Sequence, residues 1–188
     1  YDISADVLGY PEIYYTPPAE GLEEIQIIRG AASLQYGTQF GGLINFKLKK
    51  PDPIKPFTFL TRNTLGSNKL LTNFSLVSGS LEKFKYIGFI NLKKGDGFRP
   101  NSEFNSSNIF FQLGYDFSND TSITAEVTYL DYLTQQAGGL SDRMFEENPY
   151  QSNRSRNWFA LSWFLYNLKF EHSFNSNSNI SLNLFGLD

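Results

Sequence analysis

The chain of 188 residues has no cysteine, one histidine and one methionine. Disulfide scaffolds, zinc centres of the Cys/His kind, thiol nucleophiles and haem attachment are excluded for want of ligands, and no resident cofactor is expected. One histidine and no clustered acid–base set also leave little for an enzyme to work with. No apolar run approaches the roughly 18 residues that a membrane helix needs. The richest, Trp158 to Tyr166, is interrupted by Ser162. A basic excess is missing too: 16 Lys and Arg against 19 Asp and Glu give a net charge of −3, so nucleic acid is not an expected partner.

What the chain has instead is aromatics, at 16% with 18 Phe and 11 Tyr. Asn, Ser and Thr crowd the same segments. That mixture suits strands with one greasy and one wet face. Ile109, Phe111, Leu113, Tyr115 and Phe117 alternate with Phe110, Gln112, Gly114 and Asp116, and Ile123, Ala125, Val127 and Tyr129 with Ser122, Thr124, Glu126 and Thr128. A weaker period of two marks 57–66, 70–79, 85–94 and 180–187. Segment 158–173 changes phase, from Leu161, Trp163 and Leu165 on one face to Leu168 and Phe170 on the other, and a bulge is expected there.

About seven antiparallel up-and-down strands follow from this pattern. Tight turns are expected at Leu81–Lys83, Ser118–Thr121 and Asn175–Asn179, and long loops at Gly95–Ser106 and Thr134–Asn157, with a short connection near Gly66–Lys69. Short turns on one rim and long loops on the other point to an all-β membrane barrel; a soluble antiparallel sandwich is the alternative. On the barrel reading Ile109, Phe111, Leu113, Ile123, Val127 and Tyr129 face outward, and Gln112, Asp116, Thr124 and Glu126 face the lumen. Three prolines and three lysines in Lys49–Pro56 interrupt regular structure, so 51–56 is read as a linker between 1–50 and 57–188. Tyr1 without an initiator methionine, and an end at Asp188 inside an apolar alternation, lead us to expect a fragment of a longer protein.

Gly21-Leu22-Glu23-Glu24-Ile25-Gln26-Ile27-Ile28-Arg29-Gly30-Ala31-Ala32-Ser33-Leu34-Gln35-Tyr36-Gly37, followed by Gly41-Gly42-Leu43-Ile44-Asn45-Phe46, resembles the end of the plug domain of TonB-dependent outer-membrane receptors. Gly9–Pro17 and Gly138-Gly139-Leu140-Ser141 are similar to the plug apex and third external loop of the ferric citrate receptor branch. The lysine–aspartate pair usual in glycan importers is replaced by Arg29-Gly30. The resemblance implies a small α+β plug remnant over 1–50 and the first strands of a 22-stranded barrel in the outer membrane. It implies import of ferric citrate or a related ferric siderophore, driven by the TonB energy-transducing complex, with outer-membrane lipid around the wall. Import of a glycan or cobalamin, or a passive barrel or adhesin, are the alternatives.

Candidate ligand residues are Tyr10 and Glu12 on the apex and Arg143, Arg154 and Arg156 on the loop after Thr134. Guanidinium forks match the carboxylates of an anionic chelate. Asp142, Glu146 and Glu147 on the same loop could neutralise those arginines instead. Arg29 is expected at the plug–barrel boundary, paired with Glu126 or, inside the plug, with Glu23 or Glu24. Glu23-Glu24 are otherwise read into the first turn of a short helix. Tyr115, Tyr129, Tyr132, Trp158 and Trp163 are read as an interfacial aromatic girdle, and His172 as a rim residue.

Overall fold

The computed structural model describes residues 16–30 and 42–188 and divides the chain into two units, Tyr1–Lys50 and Pro51–Asp188. In the first unit a single 3-10 turn, Ala19–Gly21, leads into β1 (Leu22–Ile28), which pairs antiparallel with β2 (Leu43–Leu48). Glu23 and Glu24 therefore lie on a strand, not in a helix. The 3-10 turn ends at Gly21, and Ile25 and Ile27 find their partners only across β2, at Phe46 and Ile44. Glu24 accepts from Lys47 Nζ at 3.2 Å and from Gln26. Gly42, at φ +119°, follows the close approach of the two strands: a Cβ there would lie 2.6 Å from the Ile28 carbonyl oxygen.

The second unit is one seven-stranded antiparallel meander in chain order: β3 (Thr58–Leu65), β4 (Leu71–Leu81), β5 (Phe84–Gly95), β6 (Phe104–Ser118), β7 (Thr121–Gln135), β8 (Trp158–Asn175) and β9 (Ser178–Leu187). On one rim the turns hold two residues each, 82–83, 119–120 and 176–177. Local side chains close two of them: Ser118 Oγ accepts from Asp120 N, and Asn175 Oδ1 from Asn177 N at 2.9 Å. The other rim carries 66–70, 96–103 and 136–157. The last two are shorter than the sequence pattern suggested, because β5, β6 and β7 run on past their apolar stretches. Polar residues such as Asn105, Ser106 and Ser107 still pair their backbones.

The register sorts the side chains onto two faces. Ile90, Ile109, Tyr129 and Phe164 form one cross-strand row; Val77, Phe111, Val127 and Tyr166 form the next, and Tyr86, Leu113, Ala125, Leu168 and Leu184 a third. This face is exposed and almost wholly apolar across the middle of the sheet. The opposite face is shielded: Phe110 is 2% accessible where its neighbour Phe111 is 44%. Phe74, Phe89 and Phe110 stack across it, with centroids 5.6 and 5.1 Å apart. Toward the short turns the shielded face becomes charged, with Lys85 paired to Asp116 and Lys169 to Glu171. Gln112, Asp116, Thr124 and Glu126 share this face, opposite the apolar set, as expected.

Two expectations are corrected. The phase change in β8 needs no bulge, since β7 and β8 pair without a register shift from Trp158 to His172. The upper half of β8 is apolar on both faces, with Trp163 and Leu165 packed on the shielded side near Leu130 and Thr128. A bulge falls later, between Ser173 and Asn175. The girdle is also smaller than expected. Tyr115 and Tyr129 lie on the exposed face, whereas Tyr132 and Trp163 lie on the shielded one. His172 stands on the exposed face near the short turns, edge-on to Phe174 at 4.5 Å and bonded through Nδ1 to the Thr121 hydroxyl.

Candidate functional site

The long-loop rim is built from three connections tied to one another. Lys69 Nζ meets Asp96 Oδ2 at 2.6 Å, and Asp96 N donates to Asn68 O, joining 66–70 to 96–103. The carboxylate raises the Lys69 pKa, first through the hydrogen bond and then through its charge. Arg99 Nη2 donates to Gly138 O at 2.9 Å, and Asn101 Nδ2 donates to Gln136 O and Asn157 O, joining 96–103 to 136–157. An open groove of about 400 Å³ lies along this rim, lined by Lys69, Lys94, Glu103, Phe104 and Gln135 among others. None of the candidate arginines lines it.

Loop 136–157 folds on itself. Ser141 caps α1 (Asp142–Glu147), accepting from Met144 N, and Asn148 N donates back to Met144 O. Gln151 Nε2 also reaches Met144 O, and Asn153 Nδ2 reaches Gly139 O. Arg143 lies on α1 and pairs with Glu147 at 3.4 Å, an exposed i,i+4 contact worth little in itself. Arg154 and Arg156 lie past the helix and are exposed, and among the described residues neither enters an ion pair. The fold thus places all three arginines on one connection and spends one of them on a local carboxylate. Tyr10 and Glu12 lie outside the described residues.

Glu126 sits in mid-strand on the shielded face. Its Oε1 accepts from Gln112 Nε2 on β6 and its Oε2 from Asn167 Nδ2 on β8 at 3.0 Å. Two neutral amides hold this carboxylate, and no cation of the sheet pairs with it among the described residues. Arg29 is exposed, and the Glu24 proposed as its local partner is engaged by Lys47. Sequence reasoning missed Arg99 and Asn101 as organisers of the rim. Pro100-Asn101 signals a turn, but nothing local signals which carbonyls the Asn101 amide will find.

No family model and no curated protein matches the chain. Solved structures do. The unliganded ferric citrate transporter FecA superimposes with a TM-score of 0.79 at 19% identity, over 95% of this chain and 28% of that one. FpvA of P. aeruginosa, solved with heterologous pyoverdines, gives a TM-score of 0.71 at 18% identity, over 87% of this chain and 23% of that one. The chain therefore shares the fold of a segment of these two proteins, and it spans about a quarter of their length.

Proposed function

We propose that this chain is part of an outer-membrane importer energised through TonB: residues 1–50 the late part of its plug, 51–56 a linker, and 57–188 the first strands of its barrel. The observation that carries the reading is the exposed apolar band of the meander. Bare apolar side chains over several strands are costly in water and at home in lipid. The short turns then face the periplasm and the interlocked loops the exterior, and the shielded face lines the lumen. Among the described residues no strand pairs with the outer edges of β3 and β9, and since open edges are intolerable in lipid this fits a wall continued by further strands. Arg29 pairing with Glu126 would give that carboxylate the cation its two amide partners do not supply.

The cargo is a ferric chelate of the citrate or siderophore kind, held between the plug apex at Tyr10 and Glu12 and the loop bearing Arg143, Arg154 and Arg156. Arg154 and Arg156 have open donor forks for an anionic ligand, each charge-assisted bond contributing roughly 1.5 to 3 kcal/mol. Equilibrium binding of labelled ferric dicitrate to the full-length receptor tests this. Arg154→Ala and Arg156→Ala should each weaken binding about tenfold or more. Unchanged affinity in both and in the double variant removes the loop from the site, and no binding by the wild type moves the cargo to another siderophore or a glycan.

A further inference from the structure

We propose that Asn101 is a positioning residue that locks the neck of loop 136–157 from the neighbouring loop, with Arg99 as its second fastening. Gln136 and Asn157 are the first and last residues of that loop. Gln136 N already donates to Asn157 O at 2.9 Å, and the single amide group of Asn101 then donates to both carbonyls, at 2.9 and 3.1 Å. One side chain thus closes the neck from outside, using both of its N–H donors.

The residue type suits the place for a second reason. Asn101 sits at φ +59°, a left-handed conformation that asparagine and glycine adopt more readily than other residues. Glycine would accept the backbone but offer no donors; a longer amide would meet greater backbone strain. Arg99 adds its bond to Gly138 O, two residues inside the neck.

The lock transmits to the arginines through the next layer of the loop. Asn153 N donates to Ala137 O at 3.2 Å, and the Ser152 hydroxyl accepts from Arg154 N at 3.3 Å while its one proton lies between Arg154 O at 2.6 Å and Ala137 O at 3.1 Å. The returning limb that carries Arg154 and Arg156 is therefore indexed to residues 137–139, and those are held by 96–103. Opening the neck frees both limbs, and with them the direction in which the guanidinium groups point. The consequence for ligand rests on the arginine reading above; the lock itself does not.

The test uses the full-length receptor in lipid vesicles. Asn101→Gly keeps the left-handed backbone and removes the donors, and Asn101→Asp keeps the size but turns a carboxylate toward two carbonyls. Hydrogen exchange over 136–157 and tryptic cleavage after Arg154 and Arg156 should quicken about tenfold in Asn101→Gly and more in Asn101→Asp, with exchange in β6 and β7 unchanged. Ferric dicitrate affinity, measured in the same samples, should fall several-fold in Asn101→Gly but not further when the change is added to Arg154→Ala/Arg156→Ala, a non-additive cycle. Unchanged exchange and cleavage overturn the proposal, and so does an equal loss of affinity in both backgrounds, the mark of a merely structural effect. Faster exchange with unchanged affinity in Asn101→Gly, where the arginine variants do lose affinity, overturns the positioning role. Faster exchange where the arginine variants bind normally upholds the lock and sinks the ligand reading instead.

Discussion

Leu113→Lys is the perturbation that asks most directly whether the exposed face meets lipid. Leu113 lies in the middle of the apolar stretch of β6, with Ile109 and Phe111 toward the loops and Tyr115 and Phe117 toward the short turns. From Ile109 to Phe117 is about 27 Å along a strand, or about 20 Å of height once tilted, close to the apolar band of such barrels. Its row neighbours Tyr86, Ala125, Leu168 and Leu184 offer the new ammonium no acidic partner. A lysine at mid-bilayer costs about 2–4 kcal/mol, falling to about 0–1 near the interface. Leu133 supplies the control: it lies on the same face at 47% exposure against 41% for Leu113, but in the row that already holds Lys94 and Asn105. Folding of the full-length protein into lipid vesicles across a urea series, read by heat-modifiable gel mobility, should show Leu113→Lys destabilised by about 2 kcal/mol or more relative to Leu133→Lys, roughly thirtyfold or more in the folding equilibrium. If the face were water-exposed, both substitutions would fall within about 0.5 kcal/mol of wild type. Equal effects at the two sites would refute the lipid-facing assignment.

Gly79→Ala should cost about 1–3 kcal/mol by overpacking, because a Cβ there falls on the Pro56 carbonyl and 2.7 Å from the Tyr86 hydroxyl that donates to it. Gly114→Ala, whose nearest contact would be 3.7 Å, should be tolerated, and urea midpoints of the two distinguish them. Glu126→Ala leaves the Gln112 and Asn167 amides without their shared acceptor and should lower stability by about 1–3 kcal/mol, while Glu126→Gln, which retains one acceptor oxygen, should cost less in the same assay. The Asp52 carboxyl is held below its ordinary value of 3.8, chiefly by the Ile54 backbone N–H and then by that of Lys55. A depressed folded pKa contributes stability that is present above the unfolded value and lost as pH falls through the folded one, so Asp52→Asn should narrow the stability difference from wild type below pH ~4. A difference that stays constant from neutral pH down to pH ~2 would contradict that linkage.

The sequence by itself determined what depends on neighbours along the chain. Period-two alternation identified the seven strands and assigned the faces of β6 and β7 correctly, because successive side chains of a strand point to opposite sides whatever lies across from them. The tertiary structure decided what depends on a partner distant in sequence. Glu23 and Glu24 became strand residues because β2 pairs with β1, and the pairing of β8 with β7 decided which of its two apolar faces is the shielded one, setting Trp163 opposite Leu130 there. The rim lay furthest from sequence reach. Its organisers, Arg99 and Asn101, act on backbone carbonyls of Gly138, Gln136 and Asn157, and since every residue carries a carbonyl, only the fold selects which ones a donor meets.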